Sequence, residues 1–247
     1  MARTDNKTTR RTLEVLEAFQ QHKQPMSLTE LARVLKAPVS SCHGIVRTLI
    51  AHGYLYSIEA DRTLYPTKRL LRLAETITAN DPFLRRISAA LVELRDVSGE
   101  SILLGKQRGD VVVYLDVVES RQTIRYSGQP GDTKFLHASS IGKSLMAAMD
   151  KAVLDDWLAT YPLDRKSPTT ITSVRRLRAD LEVARAAGYH ISDGETTSGV
   201  LALAVAIPLD GDAVGVSIAG PKFRIEPRLE QHVALLRKLQ NEFTVRR

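Results

Sequence analysis

One cysteine, Cys42, is all the chain contains, which excludes an intrachain disulfide and any metal site built from several thiolates. A reducing compartment suits such a chain. No apolar run approaches the roughly 20 residues a membrane span needs. In the opening stretch MARTDNKTTRRTLEVLEAFQQ, Glu14 and Glu17 break the apolar positions before a signal-type core can form. The expected location is the cytoplasm, with no membrane partner. Internal repeats and low-complexity stretches are missing too. No G-x-S-x-G nucleophile elbow occurs, and SSIGKS lacks the upstream glycine of a phosphate-binding P-loop.

At 247 residues the chain is long enough for a small domain and one of about 150 residues, each with its own core. Its net charge of +7 is unevenly spread: residues 1–80 hold 12 Lys or Arg against 7 Asp or Glu, so most of the excess lies there. A basic N-terminal third fits a polyanionic partner, against the alternative of a merely soluble basic surface.

Leu13, Leu16 and Phe19 predict a helix from about Thr9 to Gln21, ended by HKQP. In MSLTELARVL, Ser27 and Glu30 have capping-box spacing, and Met26 and Leu31 occupy the staple positions. After the turn KAP, Pro38 is suited to the first position of a further helix, PVSSCHGIVRTL. At about 100° per residue, Cys42, Ile45, Val46 and Leu49 share one side of it. Ser40, Gly44 and Arg47 centre on the other, flanked by Ser41, His43 and Thr48, with no carboxylate among them. Two short helices on a tight turn make a helix-turn-helix, the second being the recognition helix. Tyr54, Tyr56 and Ile58, then Arg62, Leu64 and Tyr65, predict two strands around EADR, a wing with Arg62 at its tip. Arg10, Arg11, Ser27 and Thr29, near the starts of the first two helices, complete the DNA-binding candidates. Single residues stay open: His43 is either a base contact or a solvated histidine, and Gly44 either admits close approach of DNA or is simply tolerated. Cys42 reads as an inert core thiol.

TKRLLRLAETITANDP carries Leu70, Leu73, Ala74 and Ile77 at helical spacing, and Phe83, Ile87, Leu91 and Leu94 continue in a second helix. Their apolar sides either pair with another subunit or pack on their own domain. Strands are then expected in SILLGKQ, DVVVYLDVV and TIRYSG. Helices follow from HASSIGKSLMAAM, KAVLDDWLATY and TSVRRLRADLEVARAAG, the last capped by Ser173 and ended by Gly188. Strands return in YHISD, VLALAVAIPL and AVGVSIAG before a closing helix that carries Leu229, Val233, Leu236 and Phe243 on one face. This is an α+β domain around a largely antiparallel sheet. LHASSIGKS puts small residues and hydroxyls ahead of a helix N-terminus, a place that favours a carboxylate or another anion. His190, Asp193 and Glu195 suggest a metal or acid/base site, but three ligands from one alternating segment cannot all face one way. No metal, cofactor or catalytic residue is assigned.

With these segments in this order, the chain resembles the IclR family of transcriptional regulators over essentially its full length. The resemblance implies a winged helix-turn-helix over 1–66, a linker helix over 67–80, and a GAF-like effector-binding and oligomerisation domain over 81–247. It further implies a homodimer or dimer of dimers on double-stranded operator DNA, repressing or activating a catabolic operon in response to a small organic acid or aromatic compound. Ser40, Ser41 and His43 match the recognition-helix pattern; Gly44 stands where a basic residue is common, and Arg47 lies one turn on. Ala138, Ser139, Ser140, Ile141 and Gly142 match the loop capping the effector pocket, Asp193 an acidic position at its edge, and Ser217 a strand hydroxyl facing it. Thr196 replaces a second acidic residue, and the pocket cysteine of many members falls on Ala204 or a neighbour. Leu104, Leu201 and Leu203 are expected to make the pocket interior apolar. Two rivals remain: an enzyme using Ser140 or Ser217 with His190 and Asp193, and a constitutive DNA binder whose C-terminal domain only dimerises.

Overall fold

The computed structural model describes residues 6–58, 60, 62–209 and 212–245. Their contacts divide the chain into two compact units, one running to Arg85 and the other starting at Arg86.

In the first unit, α1 (Lys7–His22) starts on Asn6, whose side chain accepts the N–H groups of Thr8 and Thr9 at 3.0 and 3.1 Å. The two-residue strand β1 (Met26–Ser27) leads into α2 (Leu28–Val34) through the expected capping box: Glu30 Oε2 accepts the Ser27 N–H at 2.8 Å, and Ser27 Oγ accepts the Glu30 N–H at 3.3 Å. Pro38 is the N-cap of α3 (Val39–Ala51) rather than its first residue. Its carbonyl accepts the N–H groups of Ser41 and Cys42, a role open to proline because it uses no N–H. Gly53, at φ +72°, turns the chain out of α3. β2 (Leu55–Ile58) and β3 (Thr63–Pro66) form the antiparallel wing, and β1 pairs with the other edge of β3. Two residues of the expected EADR turn lie outside the described residues. Val15, Phe19, Leu31, Ile45, Val46, Leu49, Leu55 and Leu64 close one core. α4 (Arg69–Ala79) contributes nothing to it: none of its residues is buried, and Ile77 is 63% exposed.

α5 (Pro82–Ser98) leads into the second unit, its start capped by Asp81. The central sheet has six strands in the order β6-β5-β4-β9-β8-β7, antiparallel throughout. They are β4 (Ser101–Arg108), β5 (Val111–Val118), β6 (Thr133–Phe135), β7 (His190–Asp193), β8 (Val200–Leu209) and β9 (Asp212–Pro221). Between β6 and β7 come α6 (Ser140–Ala148), α7 (Lys151–Thr160) and α8 (Val174–Ala187); after β9, the short α9 (Lys222–Ile225) precedes α10 (Leu229–Val245). TIRYSG is not a strand. The outer edge of β5 is already taken by β6, and by Asp132 and Gly131 bonding the main chain of Tyr114. Residues 123–128 instead cross irregularly, held where Ser101 Oγ donates to the Tyr126 carbonyl and Arg224 to that of Ile124. Ser173 occupies the N-cap of α8, yet its side chain makes no capping bond.

Alternation gives the sheet two different faces. Leu201, Leu203, Val205 and Ile207 of β8 are buried on the face that α10 covers. Ala202, Ala204 and Ala206 pack on the other, against α6. Small side chains bring α6 close to the strands: Ile141 sits over Gly215 and Gly105, where an added Cβ would lie 2.5 and 3.3 Å from its carbons.

Candidate functional site

The first site is the outer face of α3. Cys42, Ile45, Val46 and Leu49 are buried, while Ser40, His43, Gly44, Arg47 and Thr48 are exposed and Ser41 is half-buried. This is the division the spacing predicts. Burial pushes the Cys42 thiol up, toward its inert form. A Cβ built on Gly44 meets nothing within 4 Å, so this part of the helix is an open surface. The Thr48 hydroxyl is spent on the Gly44 carbonyl at 3.0 Å. Arg62 is exposed in the wing at φ +49°. Of the outlying candidates, Thr29 is exposed, Arg10 is exposed and paired with Glu14 at 3.4 Å, and Arg11 is half-buried. The Ser27 hydroxyl is bonded to Glu30 and to the Thr29 hydroxyl in the capping box.

The second site is a small pocket in the α6 face of the sheet, about 20 Å³, room for about one water. Ser139 and Ser140 bring the start of α6 to it, and Leu103, Tyr114, Tyr126, Ser192, Glu195, Thr196, Ala202 and Ala219 supply most of the remaining wall. Ser139 caps α6 by accepting the Gly142 N–H at 3.1 Å. The N–H groups of Ser140 and Ile141 come before the first intrahelical bond, where the helix dipole favours negative charge. Ser140 Oγ meets Ser217 Oγ at 2.9 Å, and the hydroxyls of Tyr114 and Tyr126 lie 3.2 Å apart. Burial, then Tyr126, pushes the Tyr114 phenol far above its ordinary value.

Not every expected pocket residue lies there. Leu104 and Leu203 point to the opposite face: Leu104 lies across from Val216 and Leu203 from Ile218, whereas Leu103 and Ala202, one residue away on each strand, line the pocket. A shift of one residue reverses a strand side chain. Ala204 lies beside Ser217 on the pocket side, two residues beyond the lining Ala202. Ala138 is buried, its carbonyl accepting from Ser192 at 3.2 Å. Gly142 is pressed on the Leu136 carbonyl, where a Cβ would lie 2.1 Å from the oxygen. Asp193 is exposed and bound to Lys222 at 2.5 Å. The acidic residue of the pocket is Glu195, because Gly194, at φ +67°, reverses the chain between them.

Glu195 belongs to a buried charge cluster. Lys143, with no exposed side-chain surface, donates to Glu195 Oε1 at 2.6 Å and to Asp180 Oδ2 at 3.0 Å, and His190 Nε2 approaches the same Asp180 oxygen at 2.7 Å. Glu195 Oε2 also accepts the Ile171 N–H at 3.3 Å, and its carbonyl accepts from Thr170. Burial raises the Glu195 carboxyl, and Lys143 opposes this only in part. At Asp180 burial works upward too, but the bonds from His190 and Lys143 outweigh it and hold the group at about 2. Burial pushes His190 down, into its neutral form. The one legible signal for the cluster is a lysine inside the apolar run SIGKSLMAA; its partners lie 37 and 52 residues further on, too far for spacing to reveal. Among the described residues, no group of three or more His, Cys, Asp or Glu is arranged to hold a metal ion, and no helix is long and apolar enough to cross a membrane.

A winged helix-turn-helix joined to an α/β unit on a six-stranded antiparallel sheet is the build of a DNA-binding regulator. Comparison with known proteins gives the family. Residues 8–58 match the IclR helix-turn-helix domain and residues 75–242 the bacterial transcriptional regulator IclR C-terminal domain, so the chain belongs to the IclR family, whose members are regulators and not enzymes. It is 33% identical over 202 residues to the HTH-type transcriptional regulator BhcR of Paracoccus denitrificans, covering 81% of this chain and 72% of that protein. The crystal structure of the Thermotoga maritima IclR superposes with a TM-score of 0.82 at 25% identity, over 96% of this chain and 97% of that one. An IclR homologue from Microbacterium hydrocarbonoxydans, complexed with 4-hydroxybenzoate, has the same fold, with a TM-score of 0.78 at 23% identity over 96% and 98% of the two chains. The relatives include both a transcriptional repressor and a transcriptional activator.

Proposed function

We propose that the protein is a ligand-responsive transcription factor that binds operator DNA as a homodimer or dimer of dimers, represses a catabolic operon, and is released by a small organic acid or aromatic effector. It works in the cytoplasm. The observation that carries this reading is the outer face of α3, where exposed Ser40, His43, Gly44 and Arg47 form a surface with no carboxylate opposite a side locked into the winged-helix core. Such a face suits a major groove rich in acceptors and flanked by phosphates. One winged helix reads a short half-site, so a pair of them is needed for a specific operator, and the uncovered apolar positions of α4 supply a surface for pairing.

The effector enters between Ser139–Ser140 and the strand positions Ala202, Ser217 and Ala219. Its polar end takes the free N–H groups at the start of α6, and its apolar part lies against Leu103 and the alanines. A pocket of about 20 Å³ admits a ring only after the wall at Thr196 and Val200 moves outward while Glu195 stays anchored to Lys143, and that displacement gives the ligand a preference for one conformation over another. 4-Hydroxybenzoate, with which the Microbacterium homologue is complexed, has the single carboxylate and apolar ring that this reading calls for. Calorimetric titration of short and aromatic acids into wild type and Ser140→Trp tests the placement. The indole is expected to abolish binding; unaltered affinity in a folded variant puts the site elsewhere.

A further inference from the structure

The Lys143 cluster is too closely joined to the pocket to be scaffolding alone. One ammonium from α6 is shared by two carboxylates, Asp180 of α8 at 3.0 Å and Glu195 at 2.6 Å. With both carboxylates ionised and His190 neutral, the cluster carries one net negative charge, and Glu195 exposes it to the pocket wall. The start of α6, where the carboxylate of an effector is proposed to bind, lines the same pocket, and Glu195 is tied to Lys143 in the first turn of that helix. Ser139, Ser140 and Glu195 line the same pocket of about 20 Å³, so an acid bound at the start of α6 sets a second anion beside Glu195. Like charges side by side in one site are not both kept ionised.

We infer that an acid effector binds together with one proton from solvent, taken up by the Glu195 carboxylate, so that the sensor reads acid and pH jointly. This rests on the reading of the pocket as the effector site and adds a recognition rule to it: the site takes a monoanion plus a proton, or a neutral molecule alone.

The other ionisable groups around Glu195 leave it as the acceptor. Asp180 is held in its ionised form by His190 and Lys143. His190 and His137 are both pushed down by burial, and the Nε2 of His137 faces the Asp164 carbonyl at 3.0 Å. The Tyr114 phenol stays protonated, its hydroxyl beside that of Tyr126. Asp193 and Lys222 neutralise each other outside the pocket. A protonated Glu195 keeps its Oε1···Lys143 bond through a lone pair, while the proton on Oε2, which also accepts the Ile171 N–H, can be donated to the bound carboxylate.

The test is calorimetric titration of benzoate and phenylacetate, with benzamide as the neutral counterpart of the first, near neutral pH in buffers of different ionisation enthalpy. Wild type is expected to take up about one proton per bound acid and none with benzamide, and acid affinity is expected to fall about tenfold per pH unit above the Glu195 midpoint. Glu195→Gln keeps an acceptor for Lys143 and mimics the protonated state. Its acid binding is expected to be tighter at neutral pH, independent of pH and free of proton uptake. Binding of acids by wild type with no proton uptake and no pH dependence overturns the inference while leaving the effector site intact. Proton uptake that persists in Glu195→Gln assigns the proton to another group and overturns it as well. Failure of every acid and of benzamide to bind overturns the effector-site reading itself. Should Glu195→Gln not fold, judged by the fluorescence of Trp157 stacked on Tyr161, the wild-type proton count and pH slope decide alone.

Discussion

Gly44 and Gly142 are both helical glycines and are held there by opposite circumstances. An alanine at Gly44 meets no atom within 4 Å, so Gly44→Ala is expected to raise the stability of the winged-helix unit by about 1 kcal/mol, the helix-propensity difference. On the proposed reading of α3 as the DNA-reading helix it is also expected to weaken DNA binding; denaturant unfolding and DNA titration of one preparation check both halves. At Gly142 an alanine Cβ falls 2.1 Å from a carbonyl oxygen of the main chain, which cannot swing aside as a flexible side chain does. Gly142→Ala is expected to cost about 3 kcal/mol, seen as a lower unfolding midpoint with an unchanged slope. Neither circumstance is written in the sequence. The segment SSIGKS shows that the residues are small but not that Leu136 lies across from them.

At the scale of elements, local signals were legible and long-range placement was not. The Ser27–Glu30 box, the buried stripe of α3 and the glycine after it depend on neighbours a turn away, and all are present. TIRYSG has strand-forming residues, but the β5 edge next to it is paired with β6, which follows it in the chain. Leu104 and Leu203 have the right chemistry on the wrong face, a distinction of one residue that composition cannot make. Recognition by α3 gives the next expectation: Arg47→Ala costs about 1 to 3 kcal/mol on specific DNA when the guanidinium reads a base edge, and equal loss on random DNA reassigns it to phosphate. For α4, Leu73 and Ile77 lie four residues apart on one face and are 46% and 63% exposed. On the proposed pairing through α4, replacing both by Asp is expected to leave a monomer in sedimentation while the winged helix stays folded.

Across the whole molecule, the buried charges tie stability to pH. Asp180 is held at about 2, below its unfolded value of 3.8, so it contributes stability above that value which is lost as pH falls toward 2. His190, pushed below 6.5 by burial, acts in the same direction, since the unfolded chain takes up the proton first as pH falls. Glu195, raised above 4.5, acts the other way: the folded state binds the extra proton, and stability is lost as pH rises through its raised value. Asp180→Asn is therefore expected to flatten the acid limb of the stability profile in chemical denaturation between about pH 4 and 2; an unchanged limb denies the carboxylate its stabilising role.

The central proposal is that one chain couples an effector pocket to a DNA-reading helix. The direct measurement is fluorescence anisotropy on a duplex selected by this protein from a random pool, titrated with and without a saturating acid identified by calorimetry, for wild type and Ser140→Trp. Coupling of the usual size changes operator affinity about 5- to 150-fold in wild type and leaves the variant indifferent to the acid. Equal affinity with and without ligand in wild type contradicts the proposal and leaves a DNA binder whose second unit does not regulate it.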